Sequence, residues 1–163
     1  MDRENAIEKM KELFEQEKRY INHSLKVLSY AEQIYGMENV NQAFVKDVIT
    51  LGSIFHDTGI PNALKKYGSP EFRYQENEGE ITSRKALDEM GVRPDIRERV
   101  CYIIAHHHSF DCIDGLDFQI LWEADMVVNL QEGNCTLNGE PAEKFIERNF
   151  KTDSGKKLAA EIL

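Results

Sequence analysis

Apolar residues return at three- and four-residue intervals through most of this 163-residue chain, and no stretch alternates in twos. Helices produce the first period and half-buried strands the second, so an all-α, single-domain helical bundle is expected over residues 1–163. The pattern is clearest after Asn41, where Phe44, Val45, Val48, Ile49, Gly52 and His56 fall on one stripe. Asn41 is the expected N-cap, and the helix is predicted to run to about Asp57. Thr58-Gly59-Ile60-Pro61 then breaks it, leaving an imidazole and a carboxylate side by side at a helix end. Gly52 suits a close helix contact, or simply a packing need.

The same period predicts helices over about Glu4 to Gln16 and Lys18 to Tyr35, with Gly36 as a stop. His23 shares a stripe with Val27, Tyr30 and Ile34, which points it inward. Pro94 starts a helix through Ile96, Val100, Ile103 and Ile104 that is expected to continue into His106-His107-His108. Its apolar stripe lands on His107 and His108 and turns His106 away; successive helical residues stand about 100° apart, so the triplet is no single chelate. A further helix is predicted over Asp117 to Gln131, with Asp125 bordering the buried stripe of Leu121, Ala124 and Val128. A carboxylate there needs a partner, either a cation or a Lys or Arg side chain.

Residues Asn62 to Asn77 are the least periodic part and read as a polar loop carrying Lys65, Lys66 and Arg73. A helix follows from about Gln75, bearing Ile81, Ala86, Leu87 and Met90 and ended by Gly91. Beyond a turn-rich stretch from Asn134 to Gly139, Pro141 to Phe150 and the tail from Ser154 are read as short helices.

A net charge of -9 argues against a long nucleic-acid surface, because binding a polymer of phosphates takes clustered Lys and Arg. A small phosphorylated substrate remains compatible, since a bound cation reverses the field inside one cleft. Cys101, Cys112 and Cys135 are odd in number and lack Cys-x-x-Cys spacing, which fits reduced thiols and a cytoplasmic setting. Apolar runs fall well short of the ~18 residues of a membrane span, and the start, Met1-Asp2-Arg3-Glu4-Asn5, is charged, so a soluble chain without a membrane partner is expected. Helical proteins of this size commonly pair, making a homodimer one expected state. No glycine-rich phosphate loop is present in the sequence, which argues against Rossmann or P-loop machinery.

The order His23, then His56-Asp57, then Asp125 within Ile120-Leu121-Trp122-Glu123-Ala124-Asp125 resembles the HD superfamily of metal-dependent phosphohydrolases. The resemblance runs from about Tyr20 to Leu130, giving an HD core at about 20–130 and a C-terminal helical extension at about 140–163. It implies that His23, His56, Asp57 and Asp125 hold a metal, with Asp57 also orienting the attacking hydroxide, and Glu123-Ala124-Asp125 looks like the family's Ala-Asp motif. In several branches a histidine near the position of Glu78 binds a second metal. Glu78 is accordingly read as a second ligand or a general base, although glutamates near a helix start are also what the macrodipole selects. His107, and after it His108, are read as second-metal, substrate-facing or proton-moving groups.

Two imidazoles and two carboxylates suit a divalent transition metal, Fe, Mn, Zn, Ni or Co, as one or two ions. Lys66 and Arg73 are the bases expected to neutralise phosphate oxygens from a lid over the site, a solvated surface loop being the alternative. The implied activity is hydrolysis of a small phosphate ester, a nucleotide being expected, by metal-activated water. The competing reading is a non-catalytic sensor of metal or nucleotide. The chain lacks the Gly-Tyr-Pro signature of cyclic-di-nucleotide phosphodiesterases, with Ile60-Pro61 in place of the basic residue that often follows the motif there. It also lacks the Glu-Asp pair of alarmone hydrolases, so it is most similar to small stand-alone members.

Overall fold

The computed structural model describes residues 2–163, so Met1, the first residue of the expected domain, lies outside it. The described residues form nine α-helices and no strand: α1 (Arg3–Leu13), α2 (Lys18–Met37), α3 (Ala43–Phe55), α4 (Ile60–Tyr67), α5 (Phe72–Glu89), α6 (Pro94–Ile104), α7 (Leu116–Glu132), α8 (Ala142–Asn149) and α9 (Asp153–Ile162), with a 3-10 turn at Phe110–Cys112. None of these helices is long and apolar enough to cross a membrane.

The bundle is built around α3. Every residue from Val48 to Phe55 is buried, because α1, α2, α6 and α7 all pack against this one helix. A helix covered all round must be apolar or small all round, and Val48, Ile49, Leu51, Gly52, Ser53, Ile54 and Phe55 meet that demand. Burial of a ring such as Phe55 or Phe118 contributes roughly 2–3 kcal/mol. Gly52 sets the spacing to α7, since a Cβ there would stand 2.6 Å from Leu121 Cδ1.

The expected N-cap of this helix is displaced by one residue: Gln42, not Asn41, occupies it, and without a side-chain bond. The Tyr35 hydroxyl anchors the corner instead, accepting from the Gln42 N–H and donating to the Gln42 carbonyl, both at 3.1 Å. Gly36 does not stop α2, which continues to Met37.

The stretch expected as a loop over Asn62 to Asn77 is mostly helix. α3 ends at Phe55, and Pro61 sits in the first turn of the next helix, where its missing N–H costs nothing. Gly68, with φ 67°, closes α4, and residues 68–71 alone separate α4 from α5. Periodicity failed here because eight residues make barely two turns, and because the first turns of α5 bury Gln75, Glu78 and Gly79 rather than aliphatic side chains.

Two glycines hold this unit against the end of α3. A Cβ on Gly59 would lie 2.1 Å from the Gln75 carbonyl oxygen and 2.3 Å from the Gly79 nitrogen, so backbone meets backbone. At the far end, Glu123 of α7 is fully buried and satisfied, accepting from Gln119 Nε2 at 2.7 Å, the Lys151 N–H at 2.6 Å, the Thr152 N–H at 3.0 Å and the Thr152 hydroxyl at 2.5 Å. That carboxylate ties the corner between α8 and α9 to the core.

Candidate metal centre

His56 follows the last residue of α3 with helical dihedrals, and its Nδ1–H donates to the Ser53 carbonyl at 2.9 Å. This bond fixes the tautomer and leaves the buried Nε2 as a free lone pair. Helix α2 brings His23, whose Nε2 lies 3.0 Å from Asp125 Oδ1 of α7 and 3.6 Å from Asp57 Oδ2. His56 Nε2 lies 3.5 Å from each of the same two oxygens. Four side chains from three separate parts of the chain therefore face one point.

A second group shares Asp57. Its other oxygen, Oδ1, lies 3.5 Å from His107 Nε2, and the His107 Nδ1–H donates to the Ile104 carbonyl at 2.7 Å. The ring of His108 lies beside that of His107, centroids 3.9 Å apart, and stacks on Phe72 at 3.9 Å and 11°. Ligand atoms of His23, His56 and Asp57 all lie within 4.8 Å of one another, and so do those of Asp57, His107 and His108. The histidines reach this position from a turn, because α6 ends at Ile104 instead of continuing through the triplet. His106 turns away, its Nδ1–H donating to the Tyr102 carbonyl at 2.7 Å.

Among the described residues, His56 Nε2, His107 Nε2 and His108 Nδ1 are buried with no hydrogen-bond partner. An orphaned buried nitrogen costs about 1–3 kcal/mol, and three of them around Asp57 and Asp125 are donors that a bound ion would satisfy. Imidazole nitrogens mixed with carboxylate oxygens fit a divalent transition metal.

The electrostatics agree with that demand. Burial works against a charge on His23, but Asp125, Asp57 and Glu132 outweigh it and lift its pKa to about 9. His107 is also raised, Asp57 overcoming burial, whereas burial and the neighbouring His107 push His108 down to about 3. Burial by itself would raise the carboxyls of Asp57 and Asp125; the surrounding histidines reverse this and hold both below the usual carboxylate range.

Three of the expected site residues lie elsewhere. Glu78 is buried but accepts from Lys66 Nζ at 2.7 Å and from the Tyr67 hydroxyl at 3.2 Å, outside both ligand groups. Lys66 is thereby engaged, because helical α4 folds it back over α5. Arg73 is exposed, its guanidinium over the Tyr74 ring at 4.5 Å and paired with Glu71 at 3.4 Å. Neither base lines the cavity above the ligands, a space of about 370 Å³ walled by Tyr20, Phe72, Trp122 and Met126.

Residues without a sequence signal take their place. Glu132 accepts from His23 Nδ1 at 2.9 Å and from Lys26 Nζ at 2.7 Å; it stands seven residues, two helical turns, beyond Asp125 on α7, which is the one clue that could have found it. Glu76 accepts the His108 backbone N–H at 3.0 Å. Arg19 borders the cavity.

No curated protein and no solved structure matches the chain. The HD domain family model matches residues 20–134, a span that includes every residue of both ligand groups. The chain thus belongs to the HD domain family, which is a superfamily of metal-dependent phosphohydrolases.

Proposed function

We propose that this protein hydrolyses a small phosphate monoester, with a nucleotide as substrate class, in a reducing cytoplasm where its three free cysteines stay thiols. The observation that carries the reading is the double use of Asp57, one oxygen toward His23 and His56 and the other toward His107. His23, His56, Asp57 and Asp125 would hold one divalent ion, and Asp57, His107 and His108 a second. Ions held there supply a Lewis acid for the phosphoryl oxygens and lower the pKa of water.

The protein's own groups prepare that chemistry. The Ser53 and Ile104 carbonyls lock the His56 and His107 rings so that both Nε2 atoms face the cluster. Glu132 takes the Nδ1–H of His23, orienting the ring and raising its basicity as a ligand. Low-lying His108 is neutral at physiological pH and offers a lone pair. Asp57, between the two groups, would orient a nucleophile, below a cavity with aromatic walls. Glu78, Lys66 and Arg73 have no part in this scheme.

The test is a measurement of bound metal together with turnover of p-nitrophenyl phosphate and a panel of nucleoside phosphates, with and without chelator. Turnover that chelator removes and added Mn or Co restores is expected. Tight metal binding with no turnover of any ester would leave the sensor reading in its place.

A further inference from the structure

Outside the histidines, the cavity over the ligand groups is lined by a single cationic side chain among the described residues, Arg19, against the carboxylates of Asp57, Asp125 and Glu132. Arg19 sits in the first turn of α2, one helical turn ahead of His23, so the two side chains share a face. Its Nη2 donates to Asn134 Oδ1 at 3.3 Å, which holds the guanidinium at the rim. Neighbouring bases are already paired: Lys26 with Glu132, Lys66 with Glu78, Arg73 with Glu71. Arg19 forms no ion pair among the described residues and stands exposed at the cavity rim, accessible to an anion that enters.

The cavity also limits what that anion is attached to. At about 370 Å³ it lies near the lower end of small-molecule sites, roughly 300–1,000 Å³. Its aromatic walls are Tyr20, Trp122 and Phe72, the last 62% exposed although stacked on His108. An aromatic ring kept at a cavity mouth offers a surface on which a flat group can lie. Carboxylates outnumber the free guanidinium three to one, so once ions occupy the clusters there is positive charge for one phosphate and little beyond the rim for more.

We infer that Arg19 is the substrate-positioning residue that grips the phosphate, and that the pocket selects monophosphates carrying a flat aromatic group over di- and triphosphates. This rests on the phosphohydrolase reading above. Arg19 presents a planar fork to a phosphate, which lysine cannot reproduce.

The experiment compares metal-loaded wild type, Arg19→Ala and Arg19→Lys on adenosine 5′-monophosphate and adenosine 5′-triphosphate, with inorganic phosphate as inhibitor. In Arg19→Ala the metal content should stay at the wild-type value, while KM for the monophosphate and Ki for inorganic phosphate both rise at least tenfold, with partial recovery in Arg19→Lys. Wild type should favour the monophosphate at least tenfold in kcat/KM. Unchanged KM and Ki in Arg19→Ala, or equal kcat/KM for the two nucleotides, overturns the inference while leaving the phosphohydrolase reading intact. Should wild type turn over neither nucleotide nor p-nitrophenyl phosphate, that reading fails, and calorimetric binding of inorganic phosphate still decides Arg19. A wild-type affinity that Arg19→Ala leaves unaltered counts against it; a tenfold loss supports it.

Discussion

Asp57 Oδ1 lies 3.5 Å from His107 Nε2, while Oδ2 of the same carboxylate faces His23 and His56. One side chain therefore joins two ligand groups, and the two should be separable by mutation. His107→Ala is expected to keep one ion per chain where wild type holds about two, whereas Asp57→Ala keeps neither. Elemental analysis of the purified proteins checks this; full retention in His107→Ala would remove the second site.

Glu132 touches no ion in this scheme, yet it holds the ring that does. Replacing Glu132 with Gln keeps the shape and removes the charge that pairs with the His23 Nδ1–H. Metal affinity should fall about 10- to 100-fold with the fold retained, as read by competition with a chelating dye and by circular dichroism. Unaltered affinity would show that the Glu132 contact only serves Lys26.

Protons and metal compete at His23. Its pKa of about 9 in the metal-free protein means that at pH 7 the ring is an imidazolium between Asp125 and Glu132. A raised folded-state pKa stabilises the metal-free fold fully below the ordinary histidine value near 6.5, and that contribution fades as pH climbs through about 9. Metal affinity moves the opposite way, rising about tenfold per pH unit over the same window. Calorimetry in buffers of different ionisation enthalpy should show about one proton or more released per ion at pH 7. Metal uptake with no proton release would contradict the assignment.

Much of this arrangement was legible in the chain. Helical stripes through Val27 and Ile34, Ile49 and Gly52, and Leu121 and Val128 mark the three helices that meet, and His23, His56 and Asp125 lie on or beside those stripes. Hydrophobic period reports only on side chains that face an apolar core. It is silent about α4, a two-turn helix opened by Pro61, and about the polar buried face of α5. The pairing of Glu78 with Lys66 was hidden for that reason: Lys66 was read on a polar loop and Glu78 at a helix start, whereas α4 and α5 bring the two together. Glu132 and Arg19 lie on the polar sides of otherwise apolar helices, where nothing in the pattern separates a functional charge from a solvated one.

The glycine contact beneath the site gives a test of the scaffold. Gly59→Ala places a methyl group against the Gln75 carbonyl and the Gly79 nitrogen, neither of which is a movable side-chain tip. A loss of about 2–3 kcal/mol in urea unfolding is expected, with metal binding weakened because His56 and Asp57 sit on the same turn. An unchanged urea midpoint would mean the turn does not press on α5 as described.

The convergence of distant donors on one point is tested most directly by measuring metal content and phosphate-ester turnover in Asp125→Ala beside wild type. Asp125 belongs to α7 and meets His23 at 3.0 Å and His56 at 3.5 Å. Loss of both retained metal and turnover, with helical content preserved, is the predicted result; wild-type metal content with full turnover would contradict it.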